Sequence, residues 1–190
     1  MKKVLVGILA IMLILLTLGC GQTKVEDIEP IDESEDILED NDPFSGFDVF
    51  PDFRLKDIRG DEVTEDIFSD YSLTLVNIWA TTCGPCIREL PDLQELHLEM
   101  EDSQVNILGV IADGMVNSAV AKDYLDRLEI SYANIVPDEK FMREFVSHTM
   151  WVPVSLLVDN SGKIIGQTIS GARSKGDYLS ILEDTLKALK

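Results

Sequence analysis

Three regimes of hydrophobic patterning follow one another along the chain. Residues 4–18 form an almost wholly apolar run, residues 25–48 are dominated by acidic positions, and from residue 49 onward apolar runs alternate with apolar residues at helical spacing. "LTLVNIWA" from Leu73 and "VNILGVIAD" from Val105 are continuous apolar runs of strand length, the pattern of strands buried on both faces. "VPVSLLVD" and "GKIIGQTISG" read as two further strands joined at Asn160-Ser161-Gly162, whose turn chemistry favours a hairpin. "PDFRLKDIRGDEVT" predicts an N-terminal hairpin around Arg59-Gly60-Asp61, and a short strand is expected within 132–136. Helical spacing predicts a helix over 85–101 with Leu90, Leu93, Leu96, Leu98 and Met100 inward, kinked rather than ended by Pro91. A second is expected over 117–128, carrying Val120, Tyr124, Leu125 and Leu128. A helical turn or two follow at 138–146, and a last helix over 174–190 carries Tyr178, Ile181, Leu182, Leu186 and Leu189. The alternation predicts one α/β domain: a central sheet with helices on both faces and a β-hairpin at its start.

Length agrees, since 190 residues suffice for one domain and a modest extension. The extension is N-terminal. Lys2 and Lys3 precede the apolar run, which ends at "LTLGC", and this reads as an export signal. Gly19 before Cys20 resembles the lipobox of bacterial lipoproteins, in which the cysteine is lipidated and becomes the new N-terminus; Thr17 stands where leucine is usual. The alternative is a retained anchor helix, because residues 4–20 approach the roughly 20 needed to cross a bilayer. Either way the domain is tethered to the membrane outside the cytoplasm. The expected organisation is a signal peptide over 1–20, a tether over 21–48 and the folded domain over 49–190.

Charge supports the tether and excludes a class of partner. The net charge is −19, and removal of the first nineteen residues takes Lys2 and Lys3 away and leaves −21. Residues 25–48 hold eleven acidic and no basic residues, a composition that repels itself into an extended linker. So acidic a protein is a poor nucleic-acid binder.

The candidate chemistry lies in "NIWATTCGPCIREL", residues 77–90. With Cys20 reserved for lipid, Cys83 and Cys86 are the thiols of the domain. Two cysteines do not complete a zinc site, and His97 and His148 lack ligand-like spacing, so no metal is expected. A structural disulfide across so short a loop gains little, because its entropic benefit grows with loop length. A dithiol that cycles with its disulfide fits an exported protein and needs no cofactor.

Trp79-Ala80-Thr81-Thr82-Cys83-Gly84-Pro85-Cys86, followed by Arg88-Glu89-Leu90-Pro91 and by Val152-Pro153-Val154 entering a strand, resembles the TlpA/ResA-like branch of the thioredoxin superfamily from residue 49 to 190. The resemblance implies a thioredoxin-like fold and a thiol-disulfide oxidoreductase, most readily a disulfide reductase. It also implies a membrane electron donor of the CcdA-like kind and clients among disulfide-containing exported proteins. Pro85 suits a first helical turn. Cys83 then sits at the helix N-terminus, where free N–H groups and the dipole favour a thiolate and make it the nucleophile. Cys86, on the same helix face, is the resolving thiol. Asn77 replaces the buried aspartate common in thioredoxins, and Glu89, one turn beyond Cys86, matches the family's active-site glutamate and is expected to act as its acid/base group. Pro153 resembles the superfamily's cis-proline, with Val152 presenting its backbone to a substrate strand. Thr82 departs from the usual tryptophan, and Met150 and Trp151 are candidates for the missing apolar contact; Trp79, Gly84 and Pro85 support the motif. Two other readings remain: a non-catalytic metal- or partner-binding module, and a thiol peroxidase, against which Ala80 stands where that class places a threonine or serine.

Overall fold

The computed structural model describes residues 42–189; the proposed signal segment, with Cys20, and most of the acidic stretch lie outside them. The two apolar runs become β3 (Leu73–Trp79) and β4 (Val105–Ile111), buried along their whole length. They pair in parallel at the middle of a seven-stranded mixed sheet. Its other strands are β1 (Arg54–Asp57), β2 (Glu62–Thr64), β5 (Asn134–Val136), β6 (Val154–Asp159) and β7 (Ile164–Ser170), in the order β2-β1-β5-β4-β3-β6-β7. β1 and β2 make the expected hairpin, and β6 and β7 the second. Gly162, at φ +82°, takes the left-handed position of the latter's turn, which glycine adopts without strain.

Helix α1 (Gly84–Met100) joins β3 to β4, and α2 (Gly114–Arg127) joins β4 to β5. Two right-handed crossovers moving the same way across the sheet place both helices on one face. α4 (Lys175–Ala188) returns to that face, where Leu90, Leu93, Leu96, Leu125, Tyr178 and Leu182 pack on the sheet. The opposite face is covered by the six-residue α3 (Glu139–Glu144), short 3₁₀ turns and a set of phenylalanines: Phe44, Phe50, Phe53, Phe68, Phe141 and Phe145. Each such ring, once buried, contributes about 1.5–3 kcal/mol of transfer free energy.

Several expectations need correction. Residues 42–48, assigned to the tether by their composition, pack on the domain: Phe44 is 2% exposed. Phe50 N–H donates to the Gly162 carbonyl and Ile164 N–H to that of Asp48, so the segment lines the β7 edge and covers it. Asp42 accepts from the Thr168 backbone N–H at 2.7 Å. Two phenylalanines and a free strand edge, rather than charge density, decided the segment's place. As expected, Pro91 lies inside α1 without ending it. Leu98 is exposed, because the inward positions Leu90, Leu93, Leu96 and Met100 follow the helical period and Leu98 falls on the opposite side. Val120 is exposed for the same reason, with Ala121 and Leu125 inward instead, and Leu189 is exposed past the end of α4. α2 starts at Gly114, three residues before the expected start.

Candidate redox site

Strand alternation decides what lies under α1. Leu73, Leu75 and Trp79 of β3 face the three-helix side and Val76 and Ile78 the other, so Asn77 also points under α1. Asn77 is registered with Ser155 on β6 and with Gly109 on β4, and Gly109 with Asn134 on β5. A polar row thus crosses four strands beneath the helix. Gly109 is required there, since a Cβ would lie 1.9 Å from Asn134 Oδ1. Asn134 uses that oxygen to accept from Trp79 Nε1 at 2.9 Å, which places Trp79 in the core as a support of the motif.

At the end of β3 the chain turns through Ala80, Thr81 and Thr82. Asp113, just before α2, holds this turn: its carboxylate accepts from the Thr81 N–H at 3.0 Å, the Thr81 hydroxyl at 2.6 Å and the Asn117 amide at 2.9 Å. Burial works against its charge, but the Thr81 hydroxyl, the Asn117 amide and the Thr81 N–H outweigh it and hold the carboxyl below its ordinary value. Cys83 is the N-cap of α1; its Sγ accepts from Cys86 N–H at 3.2 Å, and Gly84 and Pro85 form the first turn. Cys83 and Cys86 are joined as a disulfide with Cα atoms 5.3 Å apart. Cys83 reaches the surface, whereas Cys86 is 0% exposed.

The Val152-Pro153 bond is cis, and the Val152 carbonyl oxygen lies 3.4 Å from Cys83 Sγ. Pro153 is buried and its carbonyl accepts from Gly171 N–H at 2.9 Å. Next to it Met150 is 88% and Trp151 48% exposed. Together with Ala112, Met142 and Val146 they border a hollow of about 180 Å³ beside Val152. Thr82, where the tryptophan was missed, is exposed.

Glu89 is 2% exposed and is not a surface carboxylate. Oε1 accepts from Asn77 Nδ2 at 3.0 Å; Oε2 accepts from Arg173 N–H at 3.2 Å and from the Tyr178 hydroxyl at 3.3 Å. Asn77 Nδ2 also donates to Ser155 Oγ at 3.1 Å, which lies 3.0 Å from the Tyr178 oxygen. Burial pushes the Glu89 carboxyl above its ordinary value, and the donors from Asn77, Arg173 and Tyr178, with the Arg173 charge, oppose it. Burial and then the Glu89 charge drive the Tyr178 phenol upward, so it stays protonated and a donor. Pro85, Arg88, Asp92, Ala172, Arg173 and Ser174 line a crevice of about 220 Å³ that reaches Glu89 from outside.

The fold therefore brings Cys83, Cys86, Glu89, Val152 and Pro153 into one site, with Trp151 at its rim. His97 lies away from it, its ring edge-on to Tyr132, and His148 packs edge-on to Phe47. Sequence reading missed Tyr178 and Ser155, which look like ordinary inward positions of a helix and a strand. It also missed the Thr81–Asp113 clamp, for which an aspartate at a strand-to-helix junction was the one available signal.

A surface thiol at a helix N-terminus, bonded to a buried partner and faced by a cis-proline on a mixed sheet, defines a thioredoxin-fold dithiol protein. The AhpC/TSA family model matches residues 47–168. Thiol-disulfide oxidoreductase ResA of Geobacillus kaustophilus is 32% identical over 135 residues, covering 70% of this chain and 74% of that protein. ResA of Oceanobacillus iheyensis is 32% identical over 108 residues, covering 55% of this chain and 54% of that protein's length. The crystal structure of a thiol:disulfide interchange protein of the thioredoxin family from Chlorobium tepidum TLS superposes with a TM-score of 0.64 at 24% identity, over 75% of this chain and 96% of that one. The chain belongs to the TlpA/ResA-like thiol-disulfide oxidoreductases of the thioredoxin family.

Proposed function

We propose that the protein is a membrane-tethered, extracytoplasmic disulfide reductase. The observation that carries this is the pairing of a surface cysteine at a helix N-terminus with a buried one, and a buried carboxylate one turn further along the same face. The Cys83 thiolate, favoured by the helix terminus and by the Cys86 N–H, attacks one sulfur of a client disulfide. A mixed disulfide forms at Cys83 and the client's other sulfur leaves as a thiolate. Cys86 passes its proton to Glu89 and attacks Cys83 Sγ. The Cys83–Cys86 disulfide forms, the client's second thiolate leaves, and the client has gained two electrons that the dithiol has lost. Val152, beside Cys83 Sγ, offers backbone to an extended client segment, and Trp151 offers it an apolar rim. A CcdA-like membrane donor returns two electrons to the site. The apolar segment ending at Cys20 supports export and lipid attachment, and the acidic stretch supports a tether. The clients are exported proteins with disulfides.

Insulin reduction by the reduced protein tests this. Cys83→Ser is expected to abolish turnover, and Cys86→Ser to accumulate a mixed disulfide with the client; wild-type turnover by Cys86→Ser overturns the two-thiol mechanism. The midpoint potential of the couple fixes the direction. Peroxide consumption and Cu(I) titration on the same preparation separate the peroxidase and metal-binding alternatives.

A further inference from the structure

Glu89, Asn77, Ser155 and Tyr178 form a closed ring of four hydrogen bonds, and the direction of each follows from counting protons. Asn77 gives its two amide protons to Glu89 Oε1 and Ser155 Oγ. The Ser155 proton is then left for the Tyr178 oxygen, and the Tyr178 proton for Glu89 Oε2. Glu89 Oε2 also accepts from the Arg173 N–H and so has two donors, while among the described residues Oε1 accepts from Asn77 alone.

We infer that Tyr178 is a positioning residue for Glu89: its hydroxyl, backed by Ser155, holds Oε2 as the oxygen that only accepts and leaves Oε1 to take and release the proton exchanged with Cys86. Tyr178 touches neither cysteine in this scheme and acts through Glu89 alone. The inference rests on the reading of Glu89 given under the proposed function. Other charged or titratable groups around Glu89, among the described residues, are Cys86, Arg88 and Asp92 of α1, Arg173 before α4 and Tyr132 before β5. β3 and β6 contribute Asn77 and Ser155, which do not titrate. Of these groups Tyr132 also feels the Tyr178 phenol, but both phenols are driven upward and stay protonated, so for Glu89 the variant removes one donor.

Tyr178→Phe keeps the ring and deletes the donor to Oε2. The carboxylate loses one hydrogen bond, so the Glu89 titration midpoint, followed by carbon NMR of the side-chain carboxyl in the reduced protein, is expected to move up by about one pH unit. The pH profile of mixed-disulfide resolution by Cys86 moves the same way, while alkylation of Cys83 does not. Ser155→Ala, which removes the donor behind Tyr178 and the acceptor of one Asn77 amide proton but no direct partner of Glu89, gives a smaller shift in the same direction and serves if the phenylalanine variant fails to fold. Added to Glu89→Gln, Tyr178→Phe leaves the resolution profile where Glu89→Gln alone puts it. Carboxyl titrations of Tyr178→Phe and Ser155→Ala that superimpose on wild type, or a loss of melting temperature with no change in either profile, overturn the inference. A wild-type protein that reduces no disulfide overturns the proposed function instead, and the NMR titration still judges the link from Tyr178 to Glu89.

Discussion

At the scale of single residues, Glu89 joins stability to the proposed chemistry. Its folded-state midpoint lies above the ordinary 4.5, chiefly through burial. A raised carboxyl contributes stability that is fully present below the unfolded value and is lost as pH rises through the folded one. Relative to Glu89→Gln, the wild-type protein is therefore expected to lose stability from about pH 4.5 upward, and urea titrations at a series of pH values check this. The same substitution removes a negative charge near Cys86, so the Cys86 thiol midpoint should fall. Single-cysteine variants, titrated with Glu and with Gln at 89, read it directly, and indistinguishable curves would reduce Glu89 to a structural acceptor. Cys83, stabilised by the helix terminus, should change less.

At the scale of elements, the site depends on the register of four strands. Asn77 lies under Glu89 because β3 presents its odd-numbered residues to α1, and a slip of one residue would send it to the phenylalanine face. Ser155 shares the row because β6 is registered on Asn77. Gly109 holds the row closed. Gly109→Ala forces the Asn134 amide aside and leaves the buried Trp79 N–H without its acceptor, at a cost of roughly 2–4 kcal/mol. The urea midpoint should drop accordingly, and a second change of Asn134 to Gly should cost less in the alanine background than in wild type, since the clash is then gone. Equal costs in both backgrounds would show that the alanine is accommodated elsewhere.

For the whole molecule, charge and the proposed attachment are the features to test. Residues 25–48 carry about half of the net negative charge, yet the described structure begins at residue 42 with Phe44 already in the core. Residues 42–48 thus belong to the folded domain rather than to the expected tether, and they cover β7. Growth with a labelled fatty acid is expected to label the protein through Cys20, and Cys20→Ala to lose the label. An unlabelled full-length chain recovered with the membrane would favour the retained helix.

Much of this was legible in the sequence, and the physical reasons are specific. β3 and β4 announced themselves because a strand buried on both faces has no polar phase, and α1 because Cys83, Pro85 and the leucine period mark its start and its inner side. Cys83, Cys86 and Glu89 are local to one helix, so spacing alone placed them on one face. By contrast, Leu98 and Val120 were misplaced because hydrophobicity reports preference for burial, whereas phase on a helix decides which residue obtains it. Only tertiary structure could bring Tyr178 and Ser155 to Glu89 or Asp113 to Thr81. Those contacts join residues 32 to 89 positions apart, or 23 in the case of Ser155 and Tyr178, and exist only once the crossovers and the β3–β6 register are closed. The sequence by itself determined the chemistry of the dithiol and the order of the elements, because both are short-range; the burial of Glu89 and the donors that set its proton affinity were decided by packing.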